Sequence, residues 1–214
     1  MQPSDIQKYC DLMEQIKQRT SVINAFGNRQ TSTLFEATNV ECVYLQLRKI
    51  LELIALGSLV ANKVEFSKAY SEFSKCWHAQ YLLRDIERVN PGFYPIPAIE
   101  KPNSKPGAPV DLQFKEDGFL TKKDFLKLYE KCGKILHANN PYAAPIDYAS
   151  YEKAIQGWLS KITRLLSSHV IRLINDPNLY LIHMNEPERG GKAHHYFLAP
   201  INYPDLNFKI ILQP

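Results

Sequence analysis

The chain has no glycine-rich phosphate loop, no dinucleotide-binding glycine pattern, no HExxH helix and no GxSxG turn. Those absences weigh against nucleotide hydrolases, dehydrogenases and zinc proteases. The four cysteines, Cys10, Cys42, Cys76 and Cys132, are far apart, with no CxxC pair and no zinc-ribbon spacing. Long hydrophobic runs are also missing. The longest, "ILELIALGSLVA" at 50–61, contains Glu52 and is too short to span a bilayer. The N-terminal stretch "MQPSDIQKYCDLMEQ" is charged from the start and has no signal-peptide core. Charge of one sign is sparse as well. The net charge is +4 over 214 residues, spread along the chain without a basic tail, so composition demands no nucleic-acid partner. Together these features describe a soluble cytoplasmic protein with no membrane partner, no cofactor and no metal, its cysteines free thiols on or beside apolar helix faces.

What is present is ample core material: 45% of residues are hydrophobic. Helical periodicity runs through 4–24, 33–62, 66–89, 121–137 and 148–174. The second of these is apolar nearly all round, as in the central helix of a bundle. Thr121 is placed to cap the fourth, with Asp124 in its first turn. In the fifth, Tyr151, Ile155, Trp158, Leu159, Ile162, Leu165, Leu166, Val170 and Leu173 keep a helical period. Six prolines between 90 and 110 exclude a helix there and predict a long loop. The segments "LYLIHM", "EPERGG" and "KAHHYFLAP" read as a β-hairpin, and "NFKIILQP" as a third strand. The expected fold is mainly α: a five-helix, up-and-down-type bundle at 1–174, with a small C-terminal antiparallel hairpin or three-stranded sheet at 175–214 packed on it.

Four groups of residues invite a functional reading. His137 ends the fourth helix about 140° from the centre of its apolar stripe, so it is no obvious core histidine, and Glu130, Lys134 and His137 share one polar face. A carboxylate beside a histidine suits acid–base work. The plainer account is a cation finishing a helix before Asn139, Asn140 and Pro141. On the fifth helix Lys161, Arg164, Ser168 and Arg172 fall on one face that phosphates would suit, or that simply faces solvent. Glu41, Arg48 and Glu52 form a charged stripe on the second helix, where the arginine is placed to bridge both carboxylates. In the hairpin His183 falls opposite His194, while His194 and His195 alternate in facing; no carboxylate or cysteine completes an evident zinc set.

A helical layout over roughly 34–173, with Lys131, five residues, and then His137, resembles the HEPN superfamily (higher eukaryotes and prokaryotes nucleotide-binding domains). Its usual motif has an arginine followed by a polar residue; here Lys131 and Cys132 stand in those places, and lysine lacks the bidentate fork. The resemblance implies an RNA-associated protein, and a metal-independent endoribonuclease of a defence or toxin-type system if it is an enzyme. His137 is then the acid–base group, Lys131 or Lys134 the phosphate ligand, and Glu130 or Asn140 an orienting residue. It also implies a homo-oligomer, a dimer first of all. The alternative expectation is a non-catalytic interaction protein or structural oligomer. Its contact surfaces would be the loop 90–110 and the C-terminal hairpin, with Phe93, Tyr94 and Ile96 either docking a partner or folding back over the bundle.

Overall fold

A computed structural model describes residues 3–61, 83–84, 87–88, 91–102, 110–172, 179–200 and 208–211. Four long helices are present among them: α1 (Pro3–Gly27), α2 (Glu36–Ala61), α3 (Lys122–Leu136) and α4 (Tyr148–Leu166). Six strands accompany them: β1 (Ile96–Pro102), β2 (Val110–Phe114), β3 (Ser168–Arg172), β4 (Leu179–Glu186), β5 (Lys192–Pro200) and β6 (Phe208–Ile211). They form one antiparallel sheet in the order β2-β1-β3-β4-β5-β6. The sheet curls far enough to bring β6 near β2. The expected five-helix bundle with a small terminal hairpin is therefore incorrect. Most of the third expected helix, 66–89, lies outside the described residues, as does Cys76.

Two local facts explain the difference. The fifth expected helix stops at Leu166 instead of running to 174. Ser167 closes its last turn through Thr163, and the Lys115 ammonium reaches the Arg164 carbonyl at 3.1 Å and the Ser167 hydroxyl at 3.3 Å. Met184 then donates its amide to the Ser167 carbonyl, which starts the β3–β4 ladder. Val170 kept helical spacing only by coincidence with a β-branched strand position. The second fact concerns the proline-rich segment, which is a strand in part. β1 pairs with β3 only at Ile96 and Pro97, and with β2 from Ala98 to Pro102. A proline inside a sheet is tolerated where one side of its strand is unpaired. The boundary expected at 174/175 falls between β3 and β4, which are ladder neighbours in the same sheet.

The helices cover one face of the sheet. Tyr9, Met13 and Ile16 of α1, Tyr44, Leu47, Ile50, Leu51 and Ile54 of α2, Phe125 and Leu128 of α3, and Ile162 and Leu165 of α4 are buried together. Ile171, Tyr180, Ile182 and Met184 complete this core from the sheet. Their neighbours Val170, Leu179 and Leu181 point the other way. With Ala98 and Leu198 they form a second, smaller cluster on the concave face. That is the period of two expected of strands buried on both sides. Phe93 and Tyr94 belong to the main core rather than to a docking loop: the Tyr94 hydroxyl donates to the Leu120 carbonyl at 2.8 Å. The two segments expected to pair as a hairpin do so, as β4 and β5 of this larger sheet, with a short 3-10 turn at Pro187–Arg189 and left-handed Gly190 and Gly191.

Candidate functional site

α3 is amphipathic, and Thr121 caps it by accepting the Asp124 amide at 3.1 Å. Its buried stripe of Phe125, Leu128, Tyr129, Cys132 and Ile135 leaves Glu130 and Lys134 outside, paired with each other at 3.0 Å. His137 is exposed at the C-cap, its backbone already extended (φ −92, ψ 144). Lys131 lies with its ammonium 5.3 Å from the centre of the Tyr151 ring. Asn140 accepts the Tyr142 amide at 3.0 Å and so shapes the next turn. Among the described residues, no hydrogen bond or ion pair joins His137 to Glu130, Lys131, Lys134 or Asn140.

The basic face expected on the fifth helix is dispersed. Lys161 is paired with Asp124 at 2.9 Å. Burial works against the Asp124 carboxylate, but Lys161 and the Thr121 cap outweigh it and hold its pKa below the usual range. Arg164 donates to the Asp117 carbonyl at 3.1 Å and packs over Gly118, leaving no room for a Cβ at this positive-φ position. Ser168 and Arg172 are on β3, so a helical spacing never applied to them. The α2 stripe is divided too. Arg48 binds Glu52 at 3.2 Å and the Tyr129 hydroxyl at 3.2 Å, whereas Glu41 accepts a 2.6 Å hydrogen bond from the Tyr148 hydroxyl. The arginine therefore bridges one carboxylate and not both.

The hairpin histidines do meet, in a setting that sequence reading missed. His183 stands opposite both His194 and Ser168 on the concave face. Its Nδ1 bonds Glu186 at 2.8 Å and its Nε2 bonds Glu100. Tyr196 donates its hydroxyl to Glu186 at 2.6 Å. Burial opposes a charge on His183, but the two carboxylates prevail and raise its pKa. Glu186 is held low, first by the Tyr196 hydrogen bond. Burial, with Arg189 nearby, lowers His194. This arrangement is not a serine-hydrolase triad. Among the described residues the Ser168 hydroxyl is buried without a partner, and both His183 nitrogens are engaged by carboxylates. It serves instead as a clip. Beyond Pro97 β1 has no ladder to β3, and the Glu100–His183–Glu186 chain spans that gap. Glu100 was hidden in the apparent proline loop, and Glu186 in the turn. Among the described residues no set of three His, Cys, Asp or Glu side chains is arranged to hold a metal.

A different place presents exposed apolar side chains beside a cleft. α1 ends in a Schellman-type turn: Gln30 donates to the Ala25 carbonyl and Arg29 to that of Phe26. Arg29 occupies the left-handed position (φ 57) where glycine is usual. Five residues on, Leu34 is left-handed as well (φ 81), an uncommon state for a bulky side chain. The turn is built to hold it. Thr33 donates its amide to Asn39 Oδ1 at 2.6 Å and its hydroxyl to Thr38 at 2.7 Å, while the Leu34 amide reaches the Ser32 hydroxyl at 3.2 Å. The result is that Leu34 is 88% exposed and Phe35 68%. They stand beside a cleft of about 540 Å³ lined by Ile23, Phe26, Val40, Val43 and Ile155, with Arg29, Glu36 and Glu152 also on its walls. These three charges have no hydrogen-bond or ion-pair partner among the described residues. The expected start of helix two at 33 placed Leu34 and Phe35 in a helical turn. The actual start at Glu36 leaves them outside it.

No protein-family model matches the chain, and no curated protein or solved structure matches it either. Among the described residues no helix is long and apolar enough to cross a membrane.

Proposed function

We propose that this chain is a non-catalytic protein-interaction module whose contact surface is the α1–α2 connection and the cleft beside it. The observation that carries the reading is the exposed Leu34–Phe35 pair on a strained turn fixed by Ser32, Thr33, Thr38 and Asn39. Non-glycine left-handed backbone costs of order 1–3 kcal/mol and persists where surrounding bonds over-determine it, which is a feature of ligand clamps and binding turns. Aromatic anchors on a rigid support are what interface hot spots use. Of the segments considered as contact surfaces from sequence, Phe93 and Tyr94 are in the core and β1, β4 and β5 are strands of the sheet. A reducing, cytoplasmic setting is part of the proposal, supported by the free thiols of Cys10, Cys42 and Cys132.

The test is selection of a random peptide library on the wild type, counter-selected on Phe35→Asp. Enriched apolar peptides that bind the wild type and not the equally stable variant are the expected result. No enrichment sinks the reading.

RNA association remains a second proposal, favoured by one observation: His137 is exposed at the end of α3, one turn from the exposed Glu130–Lys134 pair. RNA cleavage in EDTA that is lost in His137→Ala, with melting unchanged, is the result it requires.

A further inference from the structure

We infer that the occupant of the α1–α2 surface is a second copy of this chain, paired about a two-fold axis with Leu34 and Phe35 of each copy seated in the cleft of the other. This rests on the interaction reading above and adds the identity of the partner. Two features of the surface argue for it. An apolar projection and a hollow of mixed polarity are side by side: Leu34 and Phe35 stand next to a cleft where Phe26 and the core edge of Ile23, Val40, Val43 and Ile155 meet Arg29, Glu36 and Glu152. A patch that carries both is self-complementary, which is what an isologous interface requires.

The charges follow the same logic. Arg29 and Glu152 line one cleft, and neither has an ion-pair partner within the described part of the chain. Two-fold pairing brings each arginine to the other copy's glutamate, giving two symmetry-related ion pairs around the apolar contact. Tyr142 is 97% exposed in the loop that follows α3. Asn139 donates to the Ala144 carbonyl at 3.3 Å and Asn140 accepts the Tyr142 amide at 3.0 Å, which order the loop that presents it. That loop precedes α4, and the Tyr148–Glu41 bond holds its far side to the first turns of α2.

The experiment is light scattering and sedimentation of the full chain over a concentration series. The wild type is expected to reach twice its 24.6 kDa mass. Phe35→Asp is expected to weaken self-association by roughly tenfold or more, the loss typical of a central aromatic anchor. Arg29→Glu and Glu152→Arg should each weaken it, and the double variant should recover most of the loss, because the exchanged charges meet again across the axis. Melting curves on every variant establish that each is folded. A wild type that stays at the mass of one chain overturns the inference, and so does a dimer indifferent to Phe35→Asp. Library peptides that still bind a monomeric wild type through Phe35 leave the interaction reading standing with a different partner. Neither peptides nor dimer means that both fail.

Discussion

The Tyr9 hydroxyl donates to Nε2 of His169 at 2.8 Å, and Nδ1 of the same ring donates to the Leu166 carbonyl at 2.8 Å. The imidazole therefore has a use for a single proton, and it is fully buried on β3 beneath α1. Burial pushes its pKa down to about 4, against an ordinary value of about 6.5. The unfolded chain thus binds a proton between those values that the folded chain refuses. Stability is expected to fall as pH drops from about 6.5 to about 4, by about 3 kcal/mol from this residue alone. Urea unfolding at pH 7 and pH 4.5 measures it. A His169→Gln variant that loses stability at neutral pH but shows a shallower acid decline is the outcome that assigns the slope to this ring.

His183 has the opposite sign. Its folded pKa is raised, so the folded chain keeps a proton that the unfolded chain releases. Its contribution is complete below about pH 6.5 and is lost as pH rises through the folded pKa. His183→Gln is expected to cost about 2 kcal/mol at pH 6, since it removes charge-assisted hydrogen bonds to Glu100 and Glu186. It should also flatten the alkaline side of the stability profile. Hydrogen exchange in β1 and β2 is the local readout. Amides there should exchange faster in the variant, because the clip replaces a missing β1–β3 ladder.

The strained turn makes its own prediction. Leu34→Gly removes a left-handed penalty of about 1–2 kcal/mol and adds unfolded-chain entropy of about 0.4–1 kcal/mol. A folded state slightly more stable, by about 0.5 kcal/mol on balance, is expected. The same change removes an apolar anchor, so self-association should weaken while melting temperature rises or holds. A variant that loses both would place Leu34 among ordinary packing residues.

Thr121 at the start of α3 and Leu47 in the core of α2 serve as controls, since neither lines the proposed contact surface. Thr121→Ala deletes the side-chain acceptor for the Asp124 amide and should destabilise by about 1 kcal/mol. Leu47→Ala, in a fully buried position of α2, should cost about 2–5 kcal/mol. Neither should alter the mass of the assembled protein at concentrations well above its dissociation constant. A change in mass there would mean that the contact surface extends over α2 and α3.

The sequence by itself determined what depends on neighbours a few residues away. The Thr121 cap, the amphipathic stripe of α3, the buried character of α2 and the hairpin register that sets His183 against His194 are all local, and all were readable. Tertiary structure decided what depends on distant partners. Ser168–Arg172 is a strand because β4 and the backbone of Ile96 and Pro97 are there to pair with it; nothing in its own apolar spacing separates strand from helix over five residues. The prolines after 90 suggested an open loop, yet lopsided pairing gave two of them places in β1. Lys161, Arg164 and Glu41 read as a free basic face and half of a charged stripe until Asp124, Asp117 and Tyr148, each at least 30 residues away, were brought to them. Charge pairing across that separation leaves no periodic trace. The Leu34–Phe35 projection was equally hidden, because a left-handed leucine follows from a hydrogen-bonded turn and not from any preference of leucine itself.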